Sequence, residues 1–171
     1  PQDPKPPAAT AFVLDAGEIK LEELIDQCAA YLQRNILSSK QELQNTLIGG
    51  ETFSVQKRIE VDHAGCEELL TAMLFMKGFV LTELDEKKGV YEVISMHGPR
   101  NREITGRAVS KKVEQVLSRP NLRVPVTTAV HLKHVNPMVA TNALRPFFAS
   151  KRGPEVGVTL GVVGSNSAIL L

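Results

Sequence analysis

Cysteine is scarce in this sequence, and long apolar runs are missing from it. Its two cysteines, Cys28 and Cys66, are too few for a disulfide scaffold or a zinc site. Both fall on apolar faces of predicted helices, which predicts buried free thiols. The sequence contains no window of about 18 apolar residues that could cross a bilayer as a helix. The first residues lack the profile of a signal peptide, but a trimmed product would look the same, so the sequence leaves export open.

Motifs of catalysis and cofactor binding are also missing. The sequence contains no GxSxG, HExxH, phosphate-loop or GxGxxG pattern. His131 and His134 are three residues apart near a strand end, which places them on opposite faces and makes them poor metal ligands. Glu67 and Glu68 open a helix, where acidic residues are favoured, and they lack a matched acid–base partner. The sequence therefore predicts a protein that is not an enzyme, with no catalytic, cofactor-binding or metal-binding residues and no cofactor.

What the chain does have is an apolar content of 43% and a strong segregation of charge. Its length of 171 residues suits one or two domains with a real core. The net charge of +1 combines −7 in residues 1–96, +5 in residues 97–123 and +3 in residues 124–171. An acidic front and a basic back favour head-to-tail contact between modules or with partners. Two solvated surfaces of unlike composition would give the same numbers.

Residues 11–96 follow a proline-rich tether at 1–10 and are predicted to form a first domain of the order β-α-β-β-α-β-β. Its two helices carry apolar residues at helical spacing and should pack on short sheets. Gly78 is expected to end the second helix in a left-handed conformation. The predicted elements are a strand at 11–14 that continues towards Ile19, a helix at 21–33, a strand at 35–37, a polar loop at 38–50, one bulged strand or two short strands at 52–61, a helix at 64–77, and a hairpin of strands 79–84 and 90–96.

Residues 97–123 are predicted to be a basic connector with a solvated helix of about ten residues that starts near Ser110. Its cations have no interleaved aromatic residues, so nucleic-acid binding is not expected. Residues 124–171 are predicted to form a second domain, a truncated KH-like β-α-β-β unit. In it Asn136 caps a short helix at 138–145 that begins with Pro137 and has Val139 and Leu144 on its apolar side. The GxxG pattern at 161–164 lies between predicted strands and is interpreted as a strand end, not a nucleic-acid clamp.

With these elements placed, the chain resembles the periplasmic ring domains of bacterial secretins, the outer-membrane channels of type II secretion and type IV pilus systems. The resemblance covers about 130 residues. Its motifs are Phe12-Val13-Leu14, Leu21-x-x-Leu24-Ile25, Asn35-Ile36-Leu37, Leu69-Leu70-x-x-Met73-Leu74 with Gly78-Phe79, Val90-Tyr91-Glu92-Val93-Ile94, the stretch from Val126 to Val135, Leu144-Arg145-Pro146-Phe147-Phe148, and the stretch from Ser165 to Leu171. Pro146, the long connector and the stop at Leu171 depart from the family pattern, and the channel-forming region is absent.

The resemblance implies an α+β assembly module, the periplasmic portion of an outer-membrane protein. It would form a homo-oligomeric ring and contact inner-membrane secretion or pilus components, or the exported substrate. We expect the strand Val90, Tyr91, Glu92, Val93, Ile94 to be an exposed sheet edge that binds a partner. An alternative is the signalling domain of a TonB-dependent transducer, which accounts for the front half alone. A KH-like RNA-binding module is a further alternative, which rests on the topology and charge of the back half.

Overall fold

The computed structural model describes residues 11–46, 48–85, 87–148, 161–163 and 168–170, and these residues form an α+β fold, as predicted. The tether at 1–10 and the turn at 164–166 lie outside the described residues. The elements are β1 (Phe12–Leu14), β2 (Gly17–Lys20), α1 (Leu21–Leu32), β3 (Asn35–Leu37), α2 (Lys40–Thr46), β4 (Thr52–Val55), β5 (Ile59–Val61), α3 (His63–Met76), β6 (Phe79–Asp85), β7 (Val90–Ser95), α4 (Asn101–Gly106), β8 (Val109–Ser110), α5 (Val113–Leu117), β9 (Val126–Thr127), β10 (Ala129–His131), α6 (Pro137–Phe148), β11 (Gly161–Val163) and β12 (Ala168–Leu170).

The main core lies between the helices α1 and α3 and a three-stranded sheet. The apolar stripe of α1 is buried, as its spacing predicts. α3 begins where the Asp62 side chain accepts a hydrogen bond from the Gly65 backbone N–H at 2.8 Å. It is followed by Gly78, whose φ of +85° is the left-handed stop expected from the sequence. The two predicted helices of the first domain are thus confirmed, with their apolar faces packed together.

The central sheet has the strand order β3-β7-β6. β7 pairs in parallel with β3 and in antiparallel with β6, which confirms the predicted hairpin. The edge position expected for Val90–Ile94 is wrong, because β7 is the middle strand of this sheet. A local alternation pattern does not reveal which strands flank a given one, since the parallel partner β3 lies far away in sequence.

Two stretches that the sequence placed together are each divided into separate strands. The stretch that begins at Phe12 gives β1, which pairs with β5, and β2, which pairs with β4. The stretch at 52–61 forms two short strands, which was one of the two predicted alternatives. The chain turns between β1 and β2 near Gly17, whose φ is +146°. This turn sends the two strands to different partners.

The predicted polar loop at 38–50 is wrong, because it contains the helix α2. Ser39 lies just before the helix, and its side-chain oxygen accepts a hydrogen bond from the Glu42 backbone N–H at 3.4 Å. Ser39 and Glu42 have the spacing of a capping box. Leu43 anchors the helix, since it is only 3% exposed. A short helix with one buried apolar residue leaves little periodicity to detect.

The connector also differs from the prediction. Its expected ten-residue helix is reduced to the five residues of α5. Val109, next to the predicted helix start, lies on the strand β8 and pairs with Val126 of β9. The helix α4 was not predicted at all. Its Ile104 is 1% exposed and packs with Val80, Ile94 and Met96. Neighbouring residues of β6 and β7 face the main core, so α4 covers the opposite face of the central sheet.

The last elements form a small antiparallel sheet of order β10-β12-β11 beside α6. The predicted helix start is confirmed, because the Asn136 side chain accepts a hydrogen bond from the Met138 backbone N–H at 2.9 Å and Pro137 is the first helical residue. The helix continues past the predicted end at Arg145 to Phe148, with Pro146 inside it. Val139 and Leu144 were expected on the buried side but are 62% and 37% exposed.

Candidate functional site

The side chains of the predicted partner-binding strand are engaged within the chain. Val93 and Ile94 are 2% and 0% exposed, so they belong to the cores on the two faces of the sheet. Tyr91 lies under the guanidinium of Arg34, 4.7 Å from the ring centre. Glu92 is held by two arginines of the connector. Partner binding by Val90–Ile94 stays a prediction, and the free edge that motivated it belongs to other strands.

One group of charges joins the connector to the central sheet. Arg100 donates to Glu92 at 2.7 Å, and Arg107 also donates to Glu92. Arg100 and Arg107 also donate hydrogen bonds to Glu103, at 3.0 Å and 2.7 Å respectively. Hydrogen bonds from Arg100, and then from Arg107, lower the pKa of Glu92 although partial burial acts to raise it. This arrangement holds α4 and the residues on either side of it against β7.

A second group centres on Glu67 of α3. Arg34 and Arg119 donate to its two carboxylate oxygens, each at 2.6 Å. Burial acts to raise the pKa of Glu67, but the hydrogen bonds from Arg34 and Arg119 outweigh it and the pKa is lowered. Arg119 also donates to the carbonyl oxygen of Ala64 at 3.1 Å. The far end of the connector is therefore attached to the N-terminal part of α3.

A cavity of about 210 Å³ opens beside this second group. Arg34, Glu67 and Arg119 line one part of it, and Tyr91 and Val124 line others. Both arginines bind the Glu67 carboxylate, and the Nε of Arg119 also lies 3.6 Å from a carboxylate oxygen of Glu68. Among the described residues, no group of three or more His, Cys, Asp and Glu side chains could hold a metal ion. The arrangement is suited to holding chain segments together.

Lys77 makes a third unusual arrangement. It is 7% exposed, and its ammonium donates to the carbonyl oxygens of Gly49, Gly50 and Thr52 at 3.0, 2.7 and 3.0 Å. It also lies 4.7 Å from the ring centre of Phe53. The lysine thus attaches the loop before β4 to the C-terminal end of α3. Gly49 and Gly50 have φ values of +74° and +82°, a left-handed backbone conformation that few residues other than glycine adopt.

The open strand edges are the geometry best suited to partner binding. β3 ends the central sheet, and within the described residues no further strand pairs with its outer side. We call Asn35–Leu37 the β3 edge. Ile36 packs against the main core, whereas Leu37 is 45% exposed. An unpaired edge with an exposed apolar residue can accept an added strand.

The remaining sequence candidates stay apart from these groups. His131 and His134 are exposed, one on β10 and the other beyond it. The first three residues of the GxxG pattern form β11, as the strand-end interpretation predicted, and Gly164 lies outside the described residues.

The sequence did not single out Arg34, Arg119 or Lys77, because each donates hydrogen bonds to residues far away in the chain. For α2, the Ser39–Glu42 spacing was a usable indication.

The sequence matches no protein-family model, and no curated protein matches it. Among solved structures it is similar to the crystal structure of the enterotoxigenic Escherichia coli GspC-GspD complex from the type II secretion system, at 14% identity and a TM-score of 0.36, over 94% of this chain and 87% of that chain. It is also similar to the structure of XcpQN012, at 10% identity and a TM-score of 0.36, over 94% of this chain and 56% of that one. The chain thus spans about half of the second structure.

No helix in the described part of the chain is both long enough and apolar enough to cross a membrane.

Proposed function

We propose that this chain is the periplasmic assembly and docking part of a secretin-like outer-membrane channel subunit. Copies would join side by side in a homo-oligomeric ring, and the front domain would contact inner-membrane components or the exported substrate during protein secretion or pilus extrusion. The sequence resemblance over about 130 residues supports this, and so does the α+β fold of small sheets and short helices. Binding and assembly, with no catalytic step, are the functions that these features favour.

The β3 edge is the observation that carries the docking part of the proposal. Asn35–Leu37 ends a sheet whose middle strand contributes Val93 to the core on one face and Ile94 to the core on the other, so an added strand would extend a packed platform. Backbone hydrogen bonds supply affinity in this binding mode, and alternate side chains supply specificity. Leu37 offers an apolar contact at the point where such a strand would lie.

The assembly part is tested by fractionating cells that produce the native full-length protein. We expect a multimer that resists detergent and sediments with the outer membrane. A soluble cytoplasmic monomer would contradict the proposal, and salt-dependent RNA binding would then be the property to measure.

The docking part is tested with Leu37→Lys in the full-length protein. A charge on an exposed edge hinders strand addition, so inner-membrane proteins that cross-link to the wild type should be lost. Leu84→Lys is the matched control, because Leu84 is 43% exposed but lies on β6. Retention of the same cross-linked partners by both variants, with the multimer intact, would contradict docking at the β3 edge.

A further inference from the structure

The two cysteines, far apart in sequence, meet in the main core. Cys28 lies on α1 and Cys66 on α3, and both side chains are 0% exposed. The two thiols are free and belong to the same buried cluster, close enough for each to shift the pKa of the other. The helices that carry them pack against one another. Each cysteine therefore has the other as its neighbour, at the contact between the two longest helices of the front domain.

This contact gives the pair a chemistry that a single buried thiol lacks. Two neighbouring buried thiols on packed helices need only side-chain rotation and a small backbone adjustment to come within bonding distance. The hydrogen bond to Cys66, followed by burial, raises the pKa of Cys28. Among the described residues, no third ligand accompanies the thiols to make a metal site. The remaining reaction open to the pair is oxidation to a disulfide.

We propose that Cys28 and Cys66 form an intramolecular disulfide between α1 and α3 when the chain folds in the presence of a disulfide donor, such as a thiol–disulfide oxidoreductase. One cysteine thiolate attacks the donor disulfide and releases a donor thiol. The second cysteine then attacks the resulting mixed disulfide and releases the other donor thiol. The chain loses two protons and two electrons in total, and the donor disulfide is reduced to two thiols.

Burial determines when this exchange takes place. With both sulfurs fully covered, a donor reaches them only while α1 and α3 are still apart. Once the core has closed, the same burial shields the bond from reductants. The disulfide would close a loop of about 40 residues, which restricts the unfolded chain and stabilises the native one. The loop contains α2, β4 and β5, so these elements would stay attached to the core.

The experiment starts from the reduced, unfolded chain and refolds it in a glutathione redox buffer. The monomer is then denatured, alkylated with N-ethylmaleimide and weighed by intact mass spectrometry. We expect no alkylated cysteine, and two after prior reduction. Refolded protein should also unfold at a temperature about 10 °C higher than the same protein after reduction.

Cys28→Ala and Cys66→Ala provide the controls, since neither can form the internal bond. Their unfolding temperatures should not depend on the redox buffer. The wild-type comparison needs no variant, so it stands even where an alanine variant folds poorly. A refolded wild-type monomer with two alkylated cysteines would overturn the proposal, as would a disulfide found only between chains. Both results are independent of whether the full-length protein forms a channel.

Discussion

Lys77→Met tests whether the buried ammonium holds the loop before β4 in place. The methionine keeps most of the apolar stem but removes all three hydrogen bonds to the carbonyls of Gly49, Gly50 and Thr52. It also removes the charge that lies over the Phe53 ring. Because Gly49 and Gly50 are exposed, water can enter and hydrate their carbonyls after the substitution.

The change in the free energy of unfolding is the sum of two opposing effects, the loss of these interactions and the removal of a buried charge. Hydrogen bonds with a charged partner contribute about 1.5–3 kcal/mol each. Two terms reduce the total, because the exposed glycine loop can hydrate its carbonyls and because the ammonium is no longer desolvated. We therefore expect Lys77→Met to lower the free energy of unfolding by about 2–4 kcal/mol.

Urea unfolding followed by circular dichroism measures this change. Lys57→Met is the matched control, since Lys57 is exposed and its substitution should change the free energy by less than about 0.5 kcal/mol. Proteolysis at residues 48–51 should also become faster in Lys77→Met, because the loop loses its attachment to α3. A variant as stable as the control, or more stable than the wild type, would refute the reasoning by showing that desolvation outweighs the three hydrogen bonds.

The connector and the acidic groups give two further predictions. Ile104→Ala, at a position 1% exposed, should lower the free energy of unfolding by about 2–4 kcal/mol in urea titrations, whereas Leu117→Ala, at a position 71% exposed, should change it little. Equal effects would contradict the packing of α4 on the sheet. Glu67 has a lowered pKa when folded, so it stabilises above its unfolded pKa of about 4.3 and loses this contribution as pH falls. The stability difference between wild type and Glu67→Gln should therefore be largest at pH 7 and shrink below pH 4; a constant difference would contradict it.

The elements that the sequence predicted best are those whose stabilising contacts are local or periodic. The helix α1 carries an apolar stripe along its whole length, and α6 has both Asn136 and Pro137 at its start. The hairpin of β6 and β7 joins neighbouring strands by a short turn. In each case the residues that define the element lie within a few turns or a single loop of one another.

The missed features depend on distant parts of the chain. β7 is a middle strand only because β3 pairs with it in parallel, and nothing within Val90–Ser95 reveals that partner. The helix α4 is short, and Ile104 becomes a core residue only through a face of the sheet built from β6 and β7. The role of Lys77 likewise depends on carbonyls of a loop more than twenty residues earlier. A sequence pattern predicts one helix or strand at a time and does not show which distant elements pair.

The acidic and basic segments of the chain pair with each other in the folded protein. From the sequence, an acidic front and a basic connector favour contact between modules or with partners. In the structure, Arg119 binds Glu67 and two further connector arginines bind Glu92, so part of this attraction is satisfied within one chain. These paired groups are not available to steer a partner. The proposed docking therefore rests on a feature that the chain leaves unpaired within the described residues, the β3 edge with its exposed Leu37.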